Sequence, residues 1–112
     1  MNYIAMNRFE VATENAVAFE AMWQNRESYL DEMEGFISFS LLRGPEKEGQ
    51  ILYSTHTVWA TTANFEAWTK SDAFRKAHAR AGQGGPRLFI GHPRFEGFEA
   101  IQTTLSSGAL AA

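Results

Sequence analysis

Two runs dense in β-forming residues, 36–43 and 51–59, sit back to back across a short polar segment, Gly44-Pro-Glu-Lys-Glu-Gly49. Runs of this kind joined by a Gly- and Pro-containing segment pair as a hairpin with a polar loop. Outward on each side lies a stretch of helical spacing, and beyond that a further strand. Residues 2–11 alternate, with Tyr3, Ala5, Asn7, Phe9 and Val11 on one face and Ile4, Met6, Arg8 and Glu10 on the other. Thr13-Glu-Asn15 offers a helix cap. Ala16, Phe19 and Trp23 follow at helical spacing, the pattern extends to Tyr29 and Leu30, and Glu20 and Glu27 fall outside. Gly35 turns the chain into the hairpin. After it, Phe65 and Trp68 stand one helical turn apart, Ser71-Asp72 reads as a break with a fresh N-cap, and Phe74, Ala77, His78 and Ala81 line one stripe. A Gly-rich loop over 81–86, a turn at Gly91-His-Pro93 and a last strand over 94–103 complete the chain. The order is β-α-β-β-α-β, a ferredoxin-like α+β arrangement on an antiparallel sheet. Residues 1–105 form one domain and 106–112 a frayed tail.

Some strands carry apolar residues on both faces: Phe36 and Ile37, Phe39 and Leu41, Tyr53 and Val58. The chain's own helices cover one face, and a second copy is the economical cover for the other, giving a homodimer whose sheets close into an α+β barrel. Nine Phe and three Trp in 112 residues also exceed what so small a core buries easily, so a partner or a flat ligand is expected over some of them. The net charge of −3 argues against nucleic acid. Zero cysteines exclude disulfides, thiolate-held zinc and iron–sulfur clusters. The N-terminus carries charge by Arg8, and no window has the length of a membrane span, so a cytoplasmic protein without membrane contact is expected.

Three residues stand apart from packing. His78 falls on the Phe74–Ala77 side of its helix, pointing inward, among Lys70, Arg75, Lys76 and Arg80 against only Asp72. A neutral imidazole facing a cavity with cations at its rim suits an iron ligand beneath an anionic macrocycle such as haem. Asn7 sits between Ala5 and Phe9 on the helix-facing side of its strand, where an unpaired amide costs about 1–3 kcal/mol unless it meets a ligand. Trp68 supplies a large flat wall. On an ideal helix Trp68 and His78 lie about 80° apart, and the Ser71-Asp72 break brings them to one cavity. Taken alone, each has a plainer reading: a packed or capping histidine, a strand bulge, core filling. His56, out of phase with Tyr53 and Thr55, and His92 in its turn read as structural. No nucleotide-binding motif or hydrolase nucleophile signature occurs, so no flavin or nicotinamide site is expected.

These residues carry a resemblance over about 3–102. Asn7 in Met-Asn-Arg-Phe, the run from Gly35 to Gly44, Thr57-Val-Trp59 and the segment from Phe65 through Trp68 to His78 resemble the antibiotic biosynthesis monooxygenase superfamily, in its IsdG-type (HmuQ-like) haem-degrading branch. The resemblance implies that His78 is the axial iron ligand, that Asn7 donates a hydrogen bond on the opposite side of the ring, and that Trp68 presses on the porphyrin and ruffles it. Trp23 and Arg26 match, more loosely, first-helix positions at the haem edge. It further implies oxidative cleavage of haem by O2 with electrons from an external donor, releasing iron and a linear tetrapyrrole. Either biliverdin with CO or an oxo-bilin with formaldehyde fits that expectation. Two alternatives stand beside it: a cofactor-free oxygenase acting on a polycyclic quinol, and a non-catalytic haem-storage protein.

Overall fold

The computed structural model describes residues 1–26, 28–81 and 87–108, without the side chains of 79–81. The strands are β1 (Tyr3–Ala12), β2 (Phe36–Lys47), β3 (Gln50–Trp59) and β4 (Ile90–Glu99), and the helices are α1 (Ala16–Gln24), α2 (Thr62–Thr69) and α3 (Asp72–Ala81). The sheet order is β2-β3-β1-β4 with every neighbouring pair antiparallel, the expected α+β, ferredoxin-like arrangement. Of the Gly-rich loop expected over 81–86, Ala81 is the last residue of α3 and 82–86 lie outside the described residues, as does the end of the expected frayed tail, 109–112.

Four boundaries differ from the sequence pattern, each for a local reason. The expected polar loop over 44–49 is mostly strand: only Glu48 and Gly49 turn, both at positive φ, as a two-residue hairpin turn requires. Gly44 and Pro45 fall inside β2, in a register shift between Arg43 and Glu46 on an edge strand, where a missing N–H is tolerated. The same rule absorbs the expected Gly91-His-Pro93 turn. β4 is the other edge, it runs from Ile90 to Glu99 instead of over 94–103, and it shifts register opposite Phe9. At the first helix, Thr13–Asn15 form a 3-10 turn without a side-chain cap, Thr13 Oγ1 donating instead to Glu46 at 2.7 Å. α1 stops at Gln24 and does not run on to Tyr29 and Leu30. Tyr29 takes a left-handed φ of 61°, and Leu30–Glu32 form a separate 3-10 turn.

The helices cover one face of the sheet, and the core beneath them is divided. Under α1, Phe9, Val11, Phe19 and Tyr53 form one buried cluster. Under α2 and α3, Leu30, Trp59, Trp68 and Ala77 form a second. Gly35 ties the second together: at φ +82°, it lets the Asn64 side chain lie where a Cβ would stand. Phe39 and Leu41, two residues apart, share this helix-covered side rather than opposite faces. The far side of the sheet carries Ile4, Val58 and Phe98 in one cross-strand row, with Phe98 exposed there and Leu42 exposed on the opposite edge strand. Among the described residues, no helix is long and apolar enough to cross a membrane.

Candidate functional site

A cavity of about 420 Å³, within the range of ligand pockets, opens between the two halves of the core. Its floor follows from strand register. Across β3 and β1, Thr57 pairs with Ala5 and Thr55 with Asn7, a patch of small and polar side chains. The flanking pairs are bulky, Tyr53 with Phe9 on one side and Trp59 with Tyr3 on the other. Large residues at both ends and small ones between leave room above the centre of the sheet. Phe39 on β2 and Phe95 on β4 extend the floor at its two edges, and Trp23, Phe65, Trp68, Phe74 and Phe89 add aromatic walls.

All five sequence-predicted site residues line this cavity: Asn7, Trp23, Arg26, Trp68 and His78. Asn7 rises from the floor. Its backbone N–H donates to Thr55 Oγ1 at 3.1 Å, and its carboxamide has no partner among the described residues. Trp68, only 8% exposed, is held by Trp59 at a ring spacing of 6.2 Å and edge-on by Phe74 at 5.4 Å, which makes it a rigid wall. Trp23 stacks on Phe39 at 5.8 Å, and the Arg26 guanidinium lies 4.5 Å from the centre of the Trp23 ring. Burial lowers the Arg26 pKa from its ordinary value, as expected for a cation short of solvent.

His78 differs from expectation in one respect. It is exposed at the rim of the cavity, not turned into the interior, where Ala77 takes the buried position. The reason lies along α3: the imidazole stacks on Phe74 at 3.9 Å, and its Nδ1 lies 2.8 Å from the Phe74 carbonyl oxygen. A carbonyl only accepts, so Nδ1 carries a proton, and in the neutral imidazole Nε2 then keeps the lone pair. A metal-binding histidine is prepared in this way.

The break at Ser71-Asp72 sets the relation between Trp68 and His78. Ser71 Oγ donates to the Trp68 carbonyl at 2.7 Å and accepts from Phe74 N–H at 3.1 Å, so one hydroxyl ends α2 and caps α3. The next turn starts afresh, and α3 brings His78 to the cavity that Trp68 walls.

The most informative feature of the cavity is a set of donors with nothing to donate to. Among the described residues, Trp23 Nε1, Arg26 Nε and Trp59 Nε1 are buried without a hydrogen-bond partner, and all three residues line it. Buried donors left unpaired are costly, so three around one space mark it as built for a ligand rich in acceptors or negative charge. Trp59 was not singled out as a site residue. Its phase, shared with Tyr53 and Thr55 on β3, puts it on the cavity side, but a fully buried strand tryptophan reads as core until its N–H is found unpaired. Phe39 and Phe95 escaped notice for a similar reason, since aromatics are ordinary in strands.

A second cavity adjoins the first across Trp23 and Phe39 and includes Glu20, Arg43 and Tyr53. Arg43 clamps Glu20 through two nitrogens at 2.9 and 2.8 Å, and the Tyr53 hydroxyl donates to the same carboxylate. Hydrogen bonds from Arg43 and then from Tyr53 hold the Glu20 pKa below its ordinary value. Burial, followed by the bond to Glu20, raises that of Tyr53. His56 lies on the far face, paired with Met6 and Ser40, and no cluster of three or more metal-ligating side chains occurs among the described residues.

An aromatic cavity between a ferredoxin-like sheet and its helices, lined by unpaired donors, defines a small ligand-binding domain of the α+β class. Residues 2–80 match the model of the antibiotic biosynthesis monooxygenase family, and the chain belongs to that family. It is 36% identical over 50 residues to a heme-degrading monooxygenase of Shouchella clausii, a match covering 45% of this chain and 47% of that protein; it thus spans about half the length of this curated relative. Among solved structures, the heme-degrader MhuD from Mycobacterium tuberculosis, with two hemes in its active site, superposes with a TM-score of 0.70 at 24% identity, covering 91% of this chain and 98% of that one. SnoaB, a cofactor-independent oxygenase from Streptomyces nogalater, gives 0.62 at 24% identity over 91% and 95%. At these identities the two structures speak for the fold.

Proposed function

We propose that this chain is a haem-degrading monooxygenase in which haem is substrate and cofactor together. The carrying observation is the donor set: three unpaired N–H groups and a free imidazole Nε2 around one flat-walled cavity. Haem matches it piece by piece. It brings iron for Nε2, carboxylates for Arg26 and the indole N–H groups, and a broad apolar disc for the aromatic walls. Once bound, it supplies the iron that takes up O2 and the ring that is opened, with electrons from an external donor.

The chain's own residues do the rest. His78 holds the iron, its Nδ1–H tied to the Phe74 carbonyl so that the ring cannot turn away. Asn7, rising from the floor, would direct its amide N–H into the cavity and orient what the bound haem holds there. Trp68, fixed by Trp59 and Phe74, would present a rigid wall to the bound ring, and the aromatic walls would exclude water. Each tenfold in rate needs only about 1.4 kcal/mol, within reach of one well-placed hydrogen bond. The relative from S. clausii and the fold shared with MhuD support this reading. The apolar residues on the far sheet face support the expected homodimer, and a cytoplasmic setting accords with an external reductant.

A hemin titration followed by ascorbate in air tests the proposal. A Soret band is expected, then its bleaching. His78→Ala should lose tight hemin binding, whereas Asn7→Ala should keep hemin and stop its breakdown; unchanged breakdown by the Asn7 variant refutes the mechanism. The Asn7 carboxamide and Trp59 N–H would also suit the ring oxygens of a polycyclic quinol, the cofactor-free reading that a missing Soret band selects. A Soret band stable under ascorbate and air selects storage.

A further inference from the structure

We propose that Trp23 and Tyr53 form a protective electron relay that drains oxidising equivalents from the cavity, with Glu20 as the proton acceptor. The inference rests on the haem reading above and concerns what happens when oxidant arrives without reductant. Trp23 lines the cavity, and through its stack with Phe39 it also forms the partition to the neighbouring space that holds Tyr53. Phe19 packs against both, 6.4 Å from the Trp23 ring and 4.8 Å from that of Tyr53, so a single ring layer separates the two oxidisable side chains.

The charges around the pair give the relay a direction. The Arg26 guanidinium over the Trp23 ring makes that indole a poor resting place for positive charge. Tyr53 has the opposite arrangement. Its hydroxyl already donates to the Glu20 carboxylate, and Arg43 keeps that carboxylate ionised and in place through two bonds. Loss of an electron from Tyr53 can therefore be accompanied by loss of its proton along an existing hydrogen bond, leaving a neutral radical. Tyr53 is almost completely buried, whereas Glu20 and Arg43 open toward solvent, so the radical is shielded while the proton stays exchangeable.

The oxidant is hydrogen peroxide acting at the loaded haem. It takes two electrons, and two protons from solvent, to become two waters, one electron coming from the haem and one from Trp23. Tyr53 then returns an electron to Trp23 and passes its O–H proton to Glu20. When the external donor is available, one of its electrons returns to the haem and a second, with the proton back from Glu20, restores the phenol. No bond to the protein forms or breaks beyond O–H.

The test treats hemin-loaded protein with hydrogen peroxide without reductant, freeze-quenches it, and reads electron paramagnetic resonance beside Tyr53→Phe and Glu20→Gln. The expected result is a tyrosyl signal that disappears in Tyr53→Phe and falls severalfold in Glu20→Gln, with oxidised Trp23 rising severalfold in the Tyr53→Phe peptides. A signal undiminished in Tyr53→Phe, arising from Tyr3 or Tyr29, overturns the relay. Failure of hemin to bind refutes the haem reading alone. The relay is then read in ligand-free protein with a photogenerated ruthenium(III) polypyridyl oxidant, where transfer from the Trp23 radical to Tyr53 is expected. A Trp23 radical of equal lifetime in wild type and Tyr53→Phe overturns it.

Discussion

Ser71→Ala is the sharpest test of how the chain builds its cavity. The Ser71 hydroxyl holds both helix ends, accepting from Phe74 N–H and donating to the Trp68 carbonyl. Loss of an N-cap serine costs about 1 kcal/mol, and a donated hydrogen bond contributes about as much again. Both act through one oxygen, so the sum lies between about 1 and 2 kcal/mol. For a domain of this size each kcal/mol lowers Tm by about 4–8 °C. Thr61→Ala is the matched control, because Thr61 Oγ1 caps α2 at its other end through Asn64 N–H at 3.1 Å and does not touch the cavity. Both variants should lose comparable stability in thermal or urea melts. Only Ser71→Ala frees α3, and with it His78, to change direction relative to Trp68. A misalignment of about 1 kcal/mol is roughly fivefold in the hemin Kd, whereas Thr61→Ala should leave it within about twofold. Equal hemin affinity in the two variants, at equal loss of stability, would refute the argument that the break positions the ligand site.

Two further variants test the electrostatics. Arg26→Met removes a largely buried cation whose Nε has no partner among the described residues. The ligand-free protein should become more stable in urea, while hemin binding weakens about tenfold or more with the loss of a charged hydrogen bond worth about 1.5–3 kcal/mol. Glu20 has a folded pKa below its ordinary value, so its stabilising effect is complete above the unfolded carboxylate pKa near ~4.3 and is lost as pH falls through the lower folded value. Urea midpoints of wild type and Glu20→Gln should thus differ at pH 7 and converge toward pH 2.5. A constant difference across that range would count against the Arg43 and Tyr53 contacts as its source.

Strand alternation and helical spacing carry most of this fold, because each strand is half-covered and its period is visible in the residues themselves. The Ser71-Asp72 break is legible for the same reason, a cap being a local device. The hairpin and the last strand are misjudged where Gly and Pro stand in edge strands, since whether a strand lies at an edge is decided by topology, not by the residues near the proline. The site divides similarly. Asn7 and His78 stand out because packing does not favour them. Trp59 is hidden, as its significance lies in an unpaired N–H and not in its identity. The clamp between Glu20 and Arg43 joins α1 to β2 across 22 intervening positions, and no local pattern announces it.

The divided core has a consequence for the ligand. Two apolar clusters that meet only across a floor of alanine, asparagine and threonine lack the middle layer that would make them one body. A flat apolar molecule between them supplies that layer and couples the two clusters. Occupancy then raises stability as the logarithm of ligand concentration over Kd. On the reading proposed here, each turnover dismantles part of the protein's own interior, so the chain loosens as its product forms and tightens again when fresh haem arrives.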